Sequence, residues 1–404
     1  MKLAVLTAQI SPYHNARFVG AAKEFDEVHV VSSVNDGDFP EFLATSLGDY
    51  KIHFICDGRK DYKEAFERLA LHQQITDALA AVHPHAIAVA GWSAPESLVA
   101  LEYGRKNGIP TVVMSESQAD DAPRSWPREV LKKRIVSQFD AALVGGPSHA
   151  DYIVGLGMPR DRVHLGYNAV DNNYFEREAE RAKASQDQLR AQHKLPQSYL
   201  LASARFIRKK NLPNLVRAFA GARRINPSIP DLMILGDGPE RANIEEVIRS
   251  NEVTGVVHLP GFRGYDALPA IYALSEGFLH VSTTEQWGLV INEAMAAGVP
   301  VIASNTCGAA RTVLADGVNG LSTDIDAASI EAAILRLFDM TPEQRAGMGM
   351  AAQAAIRYWG PDRFGVGLMD AVKAAMRAPR RGPIRLLDKA LIHRLQRTVL
   401  DAVA

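Results

Sequence analysis

The sequence predicts an α/β protein made of two doubly wound, Rossmann-like domains. Three observations lead there. Short apolar runs alternate with amphipathic, helix-length segments, the signature of βαβ units and parallel sheets. The alternation occurs twice, on either side of a polar stretch at residues 177–194. The chain has 404 residues, ample for two or three ordinary domains. Apolar content of 47% and charged content of 23% are ordinary for a globular protein. A net charge of −1 gives no argument for nucleic acid or a strongly acidic partner. The two cysteines, Cys56 and Cys307, offer neither a disulfide framework nor a metal cluster. Met1-Lys2-Leu3 leads straight into a strand, and no apolar run approaches the roughly 20 residues that span a bilayer. The expected setting is the cytoplasm.

The first half opens on KLAVLTAQ, a buried parallel strand, with a helix expected from His14 to Phe25. Then follow strand VHVVSS, strand KIHFIC, a helix over Tyr62–Val82, strand AIAVAG, a helix over Pro95–Lys106, strand PTVVMS, a helix near Trp126–Phe139 and strand AALVGG. In such sheets ligands sit beyond the carboxyl ends of the strands. The loops to watch are Ser11–Arg17, Gly91-Trp92-Ser93, Ser115–Asp121 and Gly145–Ser148. His14, Asn15 and Arg17 face a ligand there, or His14 and Asn15 merely cap their helix. Glu116, Asp120 and Asp121 are either hydroxyl-binding carboxylates or a solvated face. Residues 177–194, EREAERAKASQDQLRAQHK in context, are polar and helix-prone, and are expected to connect the halves rather than join a core.

The second half starts with strand SYLLASA, followed by Arg205-Phe-Ile-Arg-Lys-Lys210 and a helix opening at Asn211. Strand DLMIL ends in Gly236-Asp237-Gly238-Pro239, whose glycines would let backbone approach a phosphate or base. VVHLPGF ends in Phe262-Arg263. The segment that organises this half is VSTTEQWGLVINEAMAAGVPVIA, Val281 to Ala303. It is a strand end, a polar turn, a helix with Gly288 near its start and Glu293 two turns in, and a return strand. Two carboxylates, Glu285 and Glu293, bracket the amides of Trp287, Gly288 and Leu289, the unpaired donors of a helix start. This suits a ligand with sugar hydroxyls at one end and phosphates in the middle. Cys307 lies in Ser304-Asn-Thr-Cys-Gly-Ala-Ala-Arg311 and reads as a small buried thiol or a thiol at a helix start.

Glu, seven residues, Glu, within E-Q-W-G-L-V-I-N-E-A-M-A-A-G-V-P-V-I-A-S, resembles the signature of the family 4 retaining glycosyltransferases, which have the GT-B fold. That resemblance runs from about residue 140 to 375. It implies two Rossmann-like domains facing a central cleft and a nucleotide diphosphate sugar as donor, moved with retention to an acceptor hydroxyl. On the resemblance, Arg205 and Lys210 neutralise the leaving diphosphate, and Glu285 holds the donor sugar. Gly238, Phe262, Trp287, Gly288, Leu289 and Glu293 line the donor, with Glu293 on the ribose. His14, Asn15, Arg17 and Glu116 then fall on the acceptor side. The first loop lacks the family's glycine pair. Trp92 and Ser115-Glu116 stand where relatives often carry a histidine, so no catalytic histidine is assigned. Cys307-Gly308 and Arg311 replace a double glycine and an acidic residue.

With two cations and a helix dipole for the charge work, no metal and no cofactor are expected. The domains expected are an acceptor domain at 1–170, a linker at 171–197, a donor domain at 198–358, a helix over 359–377 crossing back to the first domain, and a basic amphipathic tail at 378–404. Residues 384–403 either lie on an anionic membrane or pack on protein. Partners expected are the nucleotide-sugar donor and a carbohydrate or glycolipid acceptor, in polysaccharide or glycolipid assembly, with no nucleic acid. The competing readings are a nucleotide-sugar-binding protein without catalysis and a sugar-nucleotide epimerase on the same fold.

Overall fold

The structure is a computed structural model that describes residues 1–35, 48–68, 70–384 and 388. The chain divides into two compact units, one of Met1–Val170 with the residues from Pro361 onward, the other of Asp171–Gly360.

In the first unit the strands are β1 (Lys2–Thr7), β2 (Glu27–Val34), β3 (Lys51–Cys56), β4 (Ala86–Ala90), β5 (Thr111–Ser115), β6 (Ala141–Val144) and β7 (Val163–Leu165). They run in the order β3-β2-β1-β4-β5-β6-β7, and every ladder is parallel. Val5 of β1 lies beside Val30 on one flank and Ala88 on the other. Strands covered on both faces by helices read as continuous apolar runs, which is why β1 and β4 were legible. The edge strand β3 is covered less, and Phe54 stays exposed.

The helices of this unit begin with α1 (Pro12–Ala22), α2 (Arg59–Glu67), α3 (Ala70–Val82), α4 (Pro95–Asn107), α5 (Trp126–Val136) and α6 (Pro147–Gly155). Proline stands in the first turn of α1, α4, α5 and α6, where its missing N–H costs nothing. The single helix expected over Tyr62–Val82 is two. Arg59–Glu67 buries none of its side chains and ends at Arg68, while Ala70–Val82 carries the buried row Leu71, Ile75, Leu79 and Val82.

The second unit contains α7 (Asn172–Ala184), α8 (Gln186–His193), β8 (Tyr199–Ser203), α9 (Leu212–Ile225), β9 (Asp231–Leu235), α10 (Arg241–Ser250), β10 (Val257–Gly261), α11 (Leu268–Ala273) and β11 (Gly277–His280). It continues through α12 (Leu289–Ala296), β12 (Val301–Ser304), α13 (Gly308–Val313), β13 (Leu321–Thr323), α14 (Ala327–Phe338) and α15 (Pro342–Ile356). The parallel sheet has the order β10-β9-β8-β11-β12-β13. The stretch expected as a linker at 171–197 is largely helical, in line with its helix-prone composition, but it belongs to this unit rather than forming a separate connector. Its polar residues face solvent, but Phe175, Ala179 and Ala182 form a buried stripe against the core that holds Tyr272 and Phe278. Three apolar positions one helical turn apart suffice to dock a helix that is otherwise charged.

After Gly360 the chain returns to the first unit as α16 (Pro361–Arg377), which packs on α1, β6 and β7. Phe364, Leu368, Ala371 and Val372 are buried there. Two glycines set this contact: a Cβ at Gly20 would lie 2.0 Å from the Pro361 carbonyl oxygen, and one at Gly365 would lie 2.2 Å from that of Gly20. The basic tail beyond Ile384, apart from Asp388, lies outside the described residues, so the amphipathic reading of 384–403 is not addressed. Among the described residues no helix is long and apolar enough to cross a membrane.

Candidate active site

At the strand ends of the second unit, chain segments far apart in sequence converge. After β8, Arg208–Lys210 forms a single 3-10 turn and Asn211 adopts a left-handed backbone at φ 59° before α9 starts. The buried Asn211 side chain donates to the carbonyls of Val281 (3.0 Å) and Ile325 (2.7 Å), which pins the basic turn beside the end of β11. The Thr283 amide donates to the Lys209 carbonyl at 2.8 Å, closing the same gap. Lys210 Nζ thereby meets Glu285 Oε2 in an ion pair whose side chains are 13% and 12% exposed. Arg205, by contrast, is exposed and makes no ion pair among the described residues.

Glu285 has further partners that the sequence reading missed. Nε2 of His280, the last residue of β11, lies 3.2 Å from its Oε2, and Ser282 Oγ donates to the same oxygen at 3.4 Å. Burial works to raise the Glu285 pKa. The hydrogen bond from His280 and the Lys210 ammonium outweigh it and hold the carboxyl far below its usual range. The His280 ring is buried, which by itself lowers its pKa. The neighbouring Cys307 and the hydrogen bond with Glu285 reverse this and leave it raised. The Cys307 thiol is fully buried and lies 3.3 Å from Ser304 Oγ, so the buried-thiol reading holds. The signal for His280 was present: one imidazole in the apolar run GFLHVS, five positions before Glu285.

Gly288 caps α12 at φ 95°, a conformation that suits glycine. A Cβ there would sit 3.4 Å from His280 Nε2. Trp287 is buried, and its indole Nε1 donates to Asn292 Oδ1 at 2.8 Å, fixing the first turn; Leu289 opens the helix. The first amides of any helix lack intrahelical acceptors, so this start offers donors beside the Lys210–Glu285 pair. Glu293, one turn further, is fully buried and accepts a hydrogen bond from Tyr272 at 2.8 Å. Its surroundings are those of a packed polar group, and Tyr272 is a partner that the spacing of the two glutamates gave no means to find.

The Gly236-Asp237-Gly238 turn spends its glycines on protein. A Cβ at Gly236 would be 1.9 Å from the Ala204 carbonyl oxygen and one at Gly238 would be 2.7 Å from that of Phe206. These glycines let the β9 loop lie against the β8 loop and thereby position Arg205. Phe262 follows β10 with its side chain 66% exposed.

At the strand ends of the first unit, Arg17 is buried with its guanidinium 4.4 Å from the centre of the Tyr167 ring and 3.5 Å from Glu116 Oε1. Its Nε has no hydrogen-bond partner among the described residues. His14 Nδ1 pairs with Ser11 Oγ at 2.8 Å, and desolvation, aided by the Arg17 charge, pushes its pKa down to about 3. His14, Arg17 and Glu116 therefore gather around one strand end. Asn15 does not join them as a ligand-facing group: its Oδ1 accepts from Tyr50 Oη at 2.8 Å and the Gly48 amide at 3.3 Å, bridging α1 to β3. Neither His14 nor Asn15 caps α1, whose N-cap has no side-chain hydrogen bond. Asp121 is engaged by Arg124 and by the Gln118 amide at 3.1 Å.

Among the described residues no cluster of histidine, cysteine and carboxylate groups could hold a metal ion. Residues 185–355 match the family model described as Glycosyl transferases group 1. Among curated proteins, the D-inositol 3-phosphate glycosyltransferase of Pseudarthrobacter chlorophenolicus is 30% identical over 267 residues, covering 64% of this chain and 61% of that protein. The alpha-monoglucosyldiacylglycerol synthase of Acholeplasma laidlawii is 32% identical over 99 residues, 24% of this chain and 25% of that one. The chain thus spans between a quarter and about three-fifths of these two relatives. Among solved structures, Anabaena Alr3699/HepE in complex with UDP and glucose superposes with a TM-score of 0.73 at 18% identity, over 93% of this chain and all of that one. The fold is that of the GT-B glycosyltransferases.

Proposed function

We propose that the protein is a retaining glycosyltransferase that moves a sugar from a nucleotide diphosphate donor to an acceptor hydroxyl. The observation that carries this is the Lys210–Glu285 pair, assembled at the strand ends of β8 and β11 from positions 75 residues apart, beside the start of α12. It lies within the segment that matches the group 1 glycosyltransferases. In this reading Arg205, Lys210 and the helix amides stabilise the departing diphosphate. Groups fixed before the charge develops need no reorganisation, which makes such stabilisation effective. Glu285 is kept ionised and accepts hydrogen bonds from the donor sugar hydroxyls. For Glu293 the proposal keeps the ribose hydroxyls as partners, reached when the ligand opens the Tyr272 contact. Trp287, Gly288 and Leu289 shape the phosphate-facing turn, Gly238 sets the loop behind Arg205, and Phe262 offers an exposed ring to the base.

No protein nucleophile is called on: the acceptor attacks the face from which the diphosphate leaves, and a phosphate oxygen takes its proton. Charge is met by cations of the chain, and the reaction proceeds without a metal. The acceptor is a carbohydrate or glycolipid hydroxyl, recognised through His14, Arg17 and Glu116. Support for a nucleotide-sugar donor is that the HepE structures hold UDP and UDP-glucose. Support for a glycolipid acceptor is that relatives are named for monoglucosyldiacylglycerol and for phosphatidylinositol monomannoside.

The deciding experiment is thermal unfolding with UDP, GDP and ADP, with and without EDTA. A ligand at a hundred times its dissociation constant adds about 2.7 kcal/mol of stability. One nucleotide is expected to stabilise strongly with no effect of EDTA, and sugar transfer should then require an acceptor. Stabilisation by none would remove the donor site. Loss of the effect in EDTA would bring a metal into the mechanism.

A further inference from the structure

This inference rests on the donor-site reading above. We propose that His280 is a positioning residue of the donor site, holding Glu285 in place against Lys210 while Cys307 lies against the backbone of the strand end that carries the ring. Four groups from four separate segments form one chain: Cys307 ahead of α13, His280 at the end of β11, Glu285 in the following turn, and Lys210 ahead of α9. The Cys307 thiol lies 3.9 Å from the His280 backbone carbonyl, His280 Nε2 stands 3.2 Å from Glu285 Oε2, and Lys210 closes on the same oxygen. Ser282 Oγ lies 3.2 Å from the same ring nitrogen, and the Ser304 hydroxyl lies against the sulfur. The ring has no freedom to leave. Phe278 lies parallel to it with centroids 6.4 Å apart, and Gly288 lies alongside, where a Cβ would be 3.4 Å from Nε2.

Nε2 faces the carboxylate, so the neutral tautomer that carries its proton on Nε2 donates to Glu285. With the ring neutral, the Lys210 and Glu285 charges cancel. A second proton on the ring leaves one net positive charge beside the helix start that is to face a diphosphate. The charged and titratable groups facing the ring are Glu285, Lys210 and Cys307. β12 contributes only Ala303 at the paired position, and α12 contributes Gly288. As pH rises through the His280 titration that positive charge is lost, and affinity for a nucleoside diphosphate falls.

The full chain carrying His280→Gln or His280→Leu tests this, with UDP, GDP and ADP as probes. Glutamine can still donate to Glu285 but does not titrate; leucine does neither. The affinity of the wild type for the nucleotide it binds is expected to fall several-fold as pH rises through the titration. Both His280 variants should lose that dependence. His280→Gln should otherwise bind within about threefold of the wild type above the titration, where the imidazole is neutral, and more weakly than the wild type below it. A pH profile that both substitutions leave unchanged overturns the proposal.

A second measurement needs no ligand. Urea unfolding of His280→Leu, Glu285→Gln and the double variant gives their coupling. The double variant should unfold with an equilibrium constant at least about fivefold different from the product of the single effects. Additivity overturns the positioning role, and if His280→Leu does not fold, the cycle with Glu285→Gln is run with His280→Ala in its place. If the wild type binds none of the three nucleotides, the donor reading falls, and the coupling of His280 to Glu285 is still decided by the cycle.

Discussion

At the strand ends of the second unit, Lys210, Glu285 and His280 satisfy one another, and each is shielded from water. At those of the first unit, Arg17 is equally buried. Yet it leans on an aromatic ring, its carboxylate partner Glu116 is 30% exposed, and its Nε is unmatched. The difference teaches where removal of a charge is costly. In a closed network each deletion strands the remaining buried partner, whereas a cation held by a ring and a wetted carboxylate leaves little behind it.

The largest effect expected tests the exposed neighbour of the closed network. Arg205→Ala should lower turnover by about 10²–10³-fold, the scale of removing one preorganised charge-stabilising donor, with an unchanged melting temperature. Near-normal turnover would remove Arg205 from the diphosphate. Lys210→Met should destabilise the protein by about 2–4 kcal/mol in urea unfolding, since it leaves Glu285 facing only His280 and Ser282; a loss below about 0.5 kcal/mol would mean that the network is not closed. Tyr272→Phe should cost about 1–2 kcal/mol by leaving the buried Glu293 carboxylate short of a donor. Arg17→Met should change stability by no more than about 1 kcal/mol, and a loss as large as that of Lys210→Met would erase the contrast between the units.

The smallest effects are in the pH dependence of stability, where the two regions differ in sign. The pKa of His14 lies at about 3 in the fold against 6.5 in an ordinary environment, so the unfolded chain binds the proton first. Stability is therefore lost as pH falls from 6.5 toward 3, and His14→Gln should flatten that limb. The pKa of His280 is raised. Its contribution is present below 6.5 and lost as pH rises through the folded-state value, so His280→Gln should flatten the other limb. Denaturation midpoints across this range read both, and the same sign for both would contradict the two environments.

The alternation of strand and helix was legible because parallel strands are buried on both faces and read as apolar runs. The helix start at Pro95 was legible for a similar local reason, whereas the first helix starts at Pro12, ahead of the expected His14. Residues 177–194 misled because three buried side chains, Phe175 just ahead of the stretch and Ala179 and Ala182 within it, are a small fraction of a charged segment. In the site, Lys210 and Glu285 could be named from motif spacing. Their contact depends on Asn211, whose two long-range hydrogen bonds no local pattern encodes. Gly236 and Gly238 were read as room for a ligand, and the room is taken by the backbone of Ala204 and Phe206. His280 was passed over because a lone imidazole in an apolar strand looks like packing. Its role comes from three neighbours that only the fold collects.

The packing of Gly20 against Pro361 and of Gly365 against Gly20 has a consequence for the order of events during synthesis. The helix that carries His14 and Arg17 is covered by a helix made some 340 residues later, since Pro12–Ala22 waits for Pro361–Arg377. The first unit to emerge from the ribosome is thus the second to be completed. Asp171–Gly360 is continuous and can close on its own, while the apolar face of α1 and the surfaces of β6 and β7 stay open until the last helix arrives. A chain released after Gly360 would hold one finished unit and one unfinished one, with the apolar face of α1 left uncovered.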